Sequence, residues 1–330
     1  MELKSYSEKP QPNFQGEDAY HLGIELEVEA PDSEAKQKGL DLRKRPWGMY
    51  VKRDGSLKDE GLGGFEIVTH PIARKLWLEK RPTKGIVCRF FQLVKDLRKL
   101  KYNSHDGGRC GFHIHVSRKA FGPGDGSLNN EHFYWFKRLV NGVLFAKLSQ
   151  RKNFHYCMQN STPLSSYAST YNPHNDSRYQ AVLITGNTAE VRIFRGNMRE
   201  DRLRKNVEAV ISAVEFARNR HSTNWVETTA VSNSARLTTQ GILNAENVDK
   251  DYPAYVTANK ATYPNLYDFL VEIGVLNAGG AITEDGDEAE PEPEITTAPP
   301  PPQSVRSAYQ EAFNRMVEQD IGAVSPVGAF

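Results

Sequence analysis

Glutamates and histidines alternate with apolar residues in several segments of the 330-residue chain. Six of them lie in segments that the alternation predicts to be strands: Glu25, Glu27, Glu66, His113, His115 and Glu190. Because successive side chains of a strand point to opposite faces, each segment would have an aliphatic face and a polar face. Carboxylates crowded on one sheet face repel each other unless cations lie among them. Carboxylate oxygens with imidazole suit Mg²⁺ or Mn²⁺ better than structural zinc, so the pattern predicts a divalent-cation site.

Basic residues lie close to these segments in the sequence. Lys52 precedes Asp54-Gly55-Ser56, and Arg178, Arg192 and Arg195 lie on or next to a predicted hairpin. A guanidinium group matches phosphate oxygens with two hydrogen bonds. Metal ions among carboxylates, flanked by arginines, are what a nucleoside triphosphate needs. The simpler alternatives are a solvated sheet face for each acidic motif alone and pairing of the arginines with neighbouring carboxylates.

Alternation and helical spacing predict the elements that would position these residues. Strands are predicted over Tyr20–Ala30, Gly64–His70 and Cys110–Ser117, and a hairpin over Tyr179–Thr185 and Thr188–Arg195 with its turn at Gly186-Asn187. Helices are predicted over Ile86–Leu100, Glu131–Arg151 and Glu200–Arg220, with a weaker signal over Leu266–Val275. We therefore predict an α+β fold, in which a mostly antiparallel sheet forms a concave active-site face and helices pack on its other side.

Charge divides the chain into two parts, although its net charge is only +1. Residues 281–330 contain two basic and ten acidic residues, a net charge of −8, whereas 1–280 contain 40 basic and 31 acidic residues, a net charge of +9. A basic body favours anionic ligands. We predict a flexible lead over 1–19, a catalytic domain over 20–280, an acidic, proline-rich disordered linker over 281–303, and a short appendage over 304–330 with one possible helix.

The remaining sequence features exclude several classes of protein. The three cysteines, Cys88, Cys110 and Cys157, are widely spaced, which argues against a disulfide scaffold and a zinc knuckle. No run of about 18 apolar residues and no signal-peptide core is found, so we predict a cytoplasmic protein that does not bind membranes. Glu29 and Glu215 belong to no motif and are interpreted as surface residues.

Five motifs, in this order and rough spacing, resemble the amidoligase family, which is related to glutamine synthetase and glutamate–cysteine ligase. The resemblance covers about 20–220 and rests on GIELE at 23–27, DGS at 54–56, GFEIVTHP at 64–71, CGFHIHV at 110–116 and EVRIFRG at 190–196. It implies a glutamine synthetase-like catalytic domain and an ATP-dependent carboxylate–amine ligase, which makes an amide or isopeptide bond through an acyl phosphate. The cofactors implied are ATP and Mg²⁺ or Mn²⁺, with two ions.

The resemblance also implies a role for individual residues. Glu27 and Glu66 would hold one ion, and Glu25, His113 and Glu190 would hold the ion on the ATP phosphates. The residues implied to contact ATP are His115, Arg195 and Lys52. The implied catalytic residues are Arg192 as the main transition-state arginine, Arg178 in support and Asp54 to orient the amine. Family members often have an asparagine near the position of Leu183, which cannot supply the same hydrogen bonds.

Other functions fit parts of the sequence. A metal-dependent hydrolase could use the His113-x-His115 strand, although a cupin would have a glutamate shortly after it, where this chain has Arg118, Lys119 and Ala120. A nucleotide- or nucleic-acid-binding module could use the basic body, but its basic residues are dispersed, so nucleic acid is not the expected partner. A ligase that has lost activity is a third alternative. The expected substrates are a small-molecule or peptide carboxylate and an amine, and the acidic tail could hold a protein partner.

Overall fold

The structure is a computed structural model. It describes residues 10–42, 49–53, 57, 64–80, 82, 84–104, 110–122, 130–151, 180–224 and 248–282. These residues belong to one compact unit, Met1–Thr283. The predicted linker, except for residues 281 and 282, and the predicted appendage lie outside the described residues, so both stay predictions.

The described residues form one sheet of seven strands. The strands are β1 (His21–Val28), β2 (Met49–Lys52), β3 (Phe65–Thr69), β4 (Ile72–Ala73), β5 (Gly111–Ser117), β6 (Val182–Thr185) and β7 (Thr188–Arg195). Their order in the sheet is β2-β3-β1-β5-β7-β6, and β4 pairs with the start of β1. All of these pairs are antiparallel, which confirms the predicted α+β class with an antiparallel sheet.

The described helices include one long helix that contacts five of the others. They are α1 (Ser33–Leu42), α2 (Arg74–Trp77), α3 (Gly85–Lys99), α4 (Asn130–Val140), α5 (Val143–Ser149), α6 (Glu200–Asn224), α7 (Val248–Ala258) and α8 (Pro264–Glu272), with a 3₁₀ helix over Arg118–Phe121. Helix α6 packs against α2, α3, α4, α7 and α8. Among the helices of the described segments, none is long and apolar enough to cross a membrane.

The hydrophobic core lies against the aliphatic face of the sheet. Leu22, Ile24 and Leu26 of β1 are fully buried, and so are Val210 and Val214 of α6. The apolar faces of the strands and of the helices therefore form one continuous hydrophobic cluster. Each fully buried aliphatic side chain contributes about 1.5–3 kcal/mol to the stability of the fold. The opposite face of the sheet is left to polar side chains.

The predicted hairpin and three of the four predicted helices are confirmed, with small changes in their bounds. The hairpin turns at Gly186-Asn187, where Gly186 has a φ of +54°, a conformation that glycine adopts without strain. The predicted helix Glu131–Arg151 is instead two helices, α4 and α5. They separate at Asn141-Gly142, where the Asn141 side chain donates to the carbonyl of Lys137 and Gly142 takes an extended conformation before α5.

The predicted flexible lead is bonded to the body at its C-terminal end. The backbone N–H of Gln15 donates to the carbonyl of Pro71 at 2.8 Å, and that of Ala73 donates to the carbonyl of Gln15 at 2.8 Å. The Asp18 carboxylate accepts hydrogen bonds from Arg74 and from the backbone of Lys75. The body therefore begins before residue 20, because this short segment adds backbone hydrogen bonds beside β4.

Glu215 has a structural role, so its interpretation as a surface residue is wrong. Its Oε1 accepts hydrogen bonds from the Tyr20 hydroxyl at 2.9 Å and from Arg74 at 2.6 Å. This contact joins α6 to the start of β1. Glu29 is half-buried at the end of β1, where its backbone pairs with that of Asn103.

Candidate metal centre

The register of β1 with its two neighbours brings glutamates and histidines together on one face of the sheet. Glu27 on β1 is directly opposite Glu66 on β3, and Glu25 is directly opposite His113 on β5. Directly opposite residues of antiparallel strands place their side chains on the same face. Because Glu25 and Glu27 are two residues apart, all four side chains share the polar face.

The same face continues across β5 to β7. His115 lies opposite Gly23 of β1 on one side and opposite Glu190 of β7 on the other. The side chain of Glu190 is buried and that of His115 is half-buried. The polar face therefore extends over four neighbouring strands, with the glutamates and histidines in its centre.

A bulge in β7 changes which of its residues share this face. Ile114 pairs with Val191 but Phe112 pairs with Phe194, so Arg192 and Ile193 together oppose one residue of β5. Arg192 follows Glu190 on the polar face, and past the bulge the alternation shifts by one. The shift places Arg195 opposite Gly111, whose neighbour on the same face is His113. Both arginines thus border the polar face, although they are three residues apart.

Lys52 of β2 lies between two of the glutamates. Its Nζ is 2.8 Å from Oε2 of Glu66 and 3.3 Å from Oε1 of Glu25. Lys52 and Glu66 are direct partners in the β2–β3 register. Lys52 thus links strand β2 to both β3 and β1.

The two histidines contact the glutamates on both sides. Nδ1 of His113 is 3.4 Å from Oε1 of Glu190 and 3.8 Å from Oε2 of Glu25, and its Nε2 is 4.0 Å from Oε1 of Glu27. Nε2 of His115 is 3.4 Å from Oε1 of Glu25. This Nε2 atom is buried and makes no well-aligned hydrogen bond within the described segments. A buried ring nitrogen directed at a carboxylate in this way is a suitable metal ligand.

Two overlapping groups of described residues have ligand atoms close enough to hold a metal ion. One group is Glu25, Glu66 and His113, and the other is Glu25, His115 and Glu190; in each, the ligand atoms lie within 4.8 Å of one another. Carboxylate oxygens with one imidazole are the donors of Mg²⁺ and Mn²⁺ sites. The residues present therefore fit a divalent ion, and Glu25 is common to both groups.

This grouping differs from the one that the resemblance implies. Glu27, expected as a ligand with Glu66, lies in neither group; its Oε2 accepts a hydrogen bond from the backbone N–H of Gly111 at 2.5 Å. A Cβ on Gly111 would lie 2.6 Å from Nε2 of His113, so only glycine leaves room for this ring. Glu27 and Gly111 thus support the position of His113. The roles assigned to single ligands stay predictions.

The two central carboxyl groups have opposite pKa shifts. Burial alone would raise the pKa of Glu25, but nearby His115, His113 and Lys52 outweigh it and hold this pKa well below its usual range. Burial, together with the negative charges of Glu25 and Glu27, raises the pKa of Glu66 to about 9, although Lys52 opposes the shift. Of these two carboxyl groups, Glu25 therefore has the negative charge near neutral pH when no metal is bound.

The cations beside these carboxylates are stabilised in their charged forms. Burial would lower the pKa of His115, but Glu25 and Glu190 outweigh it and raise this pKa. The pKa of Lys52 is also raised, because the charges of Glu25 and Glu66 outweigh its burial. The acidic cluster therefore attracts positive charge before any metal is considered.

Tyr50 is a residue of this face that the sequence analysis did not identify. It is opposite Val68, which is itself opposite Glu25, so the three share one row of the sheet. Burial and the charge of Glu25 raise the pKa of its hydroxyl to about 12. The sequence could have identified Tyr50, because it lies two residues before Lys52 and alternation puts both side chains on one face.

The remaining predicted site residues are placed only in part. Asp54 and Arg178 lie outside the described residues. Nη1 of Arg192 donates to Oε1 of Glu190 at 3.0 Å, and the Nε atoms of Arg192 and Arg195 are buried with no hydrogen-bond partner among the residues that the structure describes. Leu183 is opposite Glu190 on the polar face and offers no hydrogen bond there.

Comparison with known proteins adds no relative. No protein-family model matches the chain, and no curated protein matches its sequence.

Proposed function

We propose that this chain is an ATP-dependent carboxylate–amine ligase with a glutamine synthetase-like catalytic domain of the amidoligase type. One observation supports the proposal above all. Four glutamates and two histidines of four neighbouring strands share one sheet face with Arg192. This is the arrangement that the resemblance of the five motifs leads us to expect.

The reaction explains why such a face is useful. A free carboxylate is a poor electrophile, and transfer of the γ-phosphoryl group of ATP makes an acyl phosphate with a good leaving group. An amine then attacks the acyl carbon, the amide bond forms and phosphate leaves. Divalent metal held in this cluster of glutamates and histidines would neutralise the phosphate oxygens during the transfer.

Arg192 has the chemistry that phosphoryl transfer requires. Its Nη1 is bonded to Glu190, which holds the guanidinium group at the cluster, while its Nε is buried and without a partner among the described atoms. An unpartnered buried donor has a cost of about 1–3 kcal/mol. A phosphate oxygen would remove this cost and would be bound as charge develops in the transition state. We assign supporting roles to Arg195, and to Asp54 and Arg178 as the motifs imply.

The test is ATP-dependent capture of the acyl phosphate by hydroxylamine. Full-length protein with Mg²⁺, ATP and a panel of carboxylates is expected to form a hydroxamate and to release ADP in equal amount. Glu25→Gln should abolish both, because it changes the residue common to both ligand groups. Glu34→Gln is the matched control, since Glu34 is exposed on α1. Equal ADP release by the wild type and Glu25→Gln, or ester or amide hydrolysis without ATP, would contradict the proposal.

A further inference from the structure

Lys52 contacts two of the three residues that form one candidate ion site. That group is Glu25, Glu66 and His113, and Nζ of Lys52 is 3.3 Å from the first and 2.8 Å from the second. The lysine side chain is only 9% exposed. Its ammonium group thus lies at the two carboxylates to which an ion in this group would bind.

We propose that the ammonium of Lys52 is the permanent cation of the Glu25–Glu66–His113 group, and that the protein binds a single divalent ion, at Glu25, His115 and Glu190. This inference rests on the proposed function, which requires a divalent ion, and it departs from the two ions that the resemblance implies. It also changes the role of Lys52, which the motifs assign to ATP binding.

The fold holds Lys52 where it is. Lys52 and Glu66 are direct cross-strand partners, so the stem of the lysine starts beside its carboxylate. The side chain is buried, and a charged amine that moved away would lose its ion pair with Glu25 and its contact with Glu66, while both carboxyl groups stayed largely buried without it. A divalent ion entering this group would meet a unit positive charge at contact distance.

In the second group the neighbouring cations each contact one ligand. Nζ of Lys52 is 3.3 Å from Glu25, and Nη1 of Arg192, whose side chain is 22% exposed, is 3.0 Å from Glu190. His115 contributes Nε2, which can lose its proton to a metal. An ion at Glu25, His115 and Glu190 leaves the contact between Lys52 and Glu66 in place.

For the proposed ligase, a lysine in place of an ion has a clear consequence. The ammonium supplies fixed positive charge and three hydrogen-bond donors near Glu25. It does not exchange with solution, so occupancy of this position does not depend on the metal concentration. ATP turnover should then depend on the concentration of a single class of ion.

The experiment is a titration of the full-length protein with Mn²⁺ alone, followed by calorimetry and by the electron paramagnetic resonance signal of Mn²⁺. The wild type is expected to bind one Mn²⁺ per chain, with no spin coupling between ions. Lys52→Met removes the charge and keeps an apolar stem, so it should bind a second ion at least about tenfold more tightly than the wild type does, with coupled spins. Lys52→Arg keeps the charge and should bind one.

Two further measurements keep the result interpretable. Glu66→Gln in the Lys52→Met protein should remove the second ion and leave the first, which places the new ion at Glu66. Circular dichroism identifies any variant that fails to fold. If one fails, the number of Mn²⁺ ions bound per wild-type chain tests the inference without it. Two tightly bound ions in the wild type would overturn this inference and leave the ligase proposal standing. No bound ion in folded wild type would overturn both.

Discussion

Glu25 is the residue on which the site depends most. It contacts Lys52 on one side and His115 and His113 on the other, and it belongs to both groups of candidate ligands. The pKa of its carboxyl is held well below the usual range, whereas that of Glu66 is raised to about 9. Two carboxyl groups in one cluster thus differ in charge because their cation neighbours differ.

The raised pKa of Glu66 predicts a pH dependence of stability in metal-free protein. A raised folded-state pKa gives stability that is fully present below the unfolded value of 4.5 and is lost as the pH rises through about 9. Between pH 7 and 9 the free energy of unfolding should fall by up to about 2 kcal/mol, at about 1.4 kcal/mol per pH unit. Glu66→Gln mimics the protonated form and should remove this decline.

Urea unfolding in EDTA at several pH values measures the effect. Glu34→Gln, on the exposed surface of α1, serves as the control and should behave as the wild type does. A decline of the same size in Glu66→Gln would show that another group is responsible.

At the scale of elements, strand alternation predicted correctly which residues of β1 and β5 share a face, and which residues of β7 do so as far as its bulge. The sequence did not contain the register between strands, because register depends on contacts between residues far apart in the chain. It also did not reveal the bulge in β7, without which Arg192 and Arg195 would point to opposite faces. Glu215 was misread for a similar reason, since its partners are Tyr20 and Arg74 on other elements.

Two glycines on the polar face give a matched pair of substitutions. A Cβ on Gly111 would lie 2.6 Å from Nε2 of His113, whereas a Cβ on Gly23 would have no neighbour closer than 3.8 Å. Gly111→Ala should displace the His113 ring, which contacts the ligands Glu25 and Glu190, and weaken Mn²⁺ binding by roughly 10–100-fold, the size of effect that supporting residues of metal sites have. Gly23→Ala should bind as the wild type does. Equal affinity in both variants would show that Gly111 does not position the ring.

Helix α8 is attached to α6 through Glu208. Oε1 of Glu208 accepts a hydrogen bond from the Asn265 side chain. Its Oε2 accepts one from the backbone N–H of Leu266 at 2.8 Å, in the first turn of α8. Glu208→Ala should lower the free energy of unfolding by about 1–3 kcal/mol, because buried donors lose their acceptor. Glu272→Ala, which removes a carboxylate that is 54% exposed on the same helix, should lower it by about 1 kcal/mol or less. Urea unfolding compares the two, and equal losses would contradict the capping role.

At the scale of the whole molecule, the acidic segment and the site belong to different parts of the chain. All described site residues lie within the compact unit Met1–Thr283. All ten acidic residues of 281–330 lie after Thr283, and none of them is in a site motif. The near-neutral net charge of the chain is therefore a sum over two unlike parts. The strands of the polar face were predictable because each one has a strong local pattern.

A shortened chain tests this division. Removal of 284–330 should leave the fold and the affinity for Mn²⁺ unchanged within about twofold, because all residues of both described ligand groups belong to the unit Met1–Thr283. Circular dichroism and calorimetry of the 1–283 chain against the full chain measure both. Loss of Mn²⁺ binding in a folded 1–283 chain would show that the acidic segment is part of the site.

The most direct test of the central claim follows an oxygen atom. A carboxylate that forms an acyl phosphate transfers one of its oxygens to the phosphate that leaves when the amine attacks. With the panel carboxylate that gives most hydroxamate, labelled with ¹⁸O, the wild type with ATP and Mg²⁺ should release phosphate that contains ¹⁸O, and Glu25→Gln should release none. Unlabelled phosphate released together with product by the wild type would contradict the ligase mechanism.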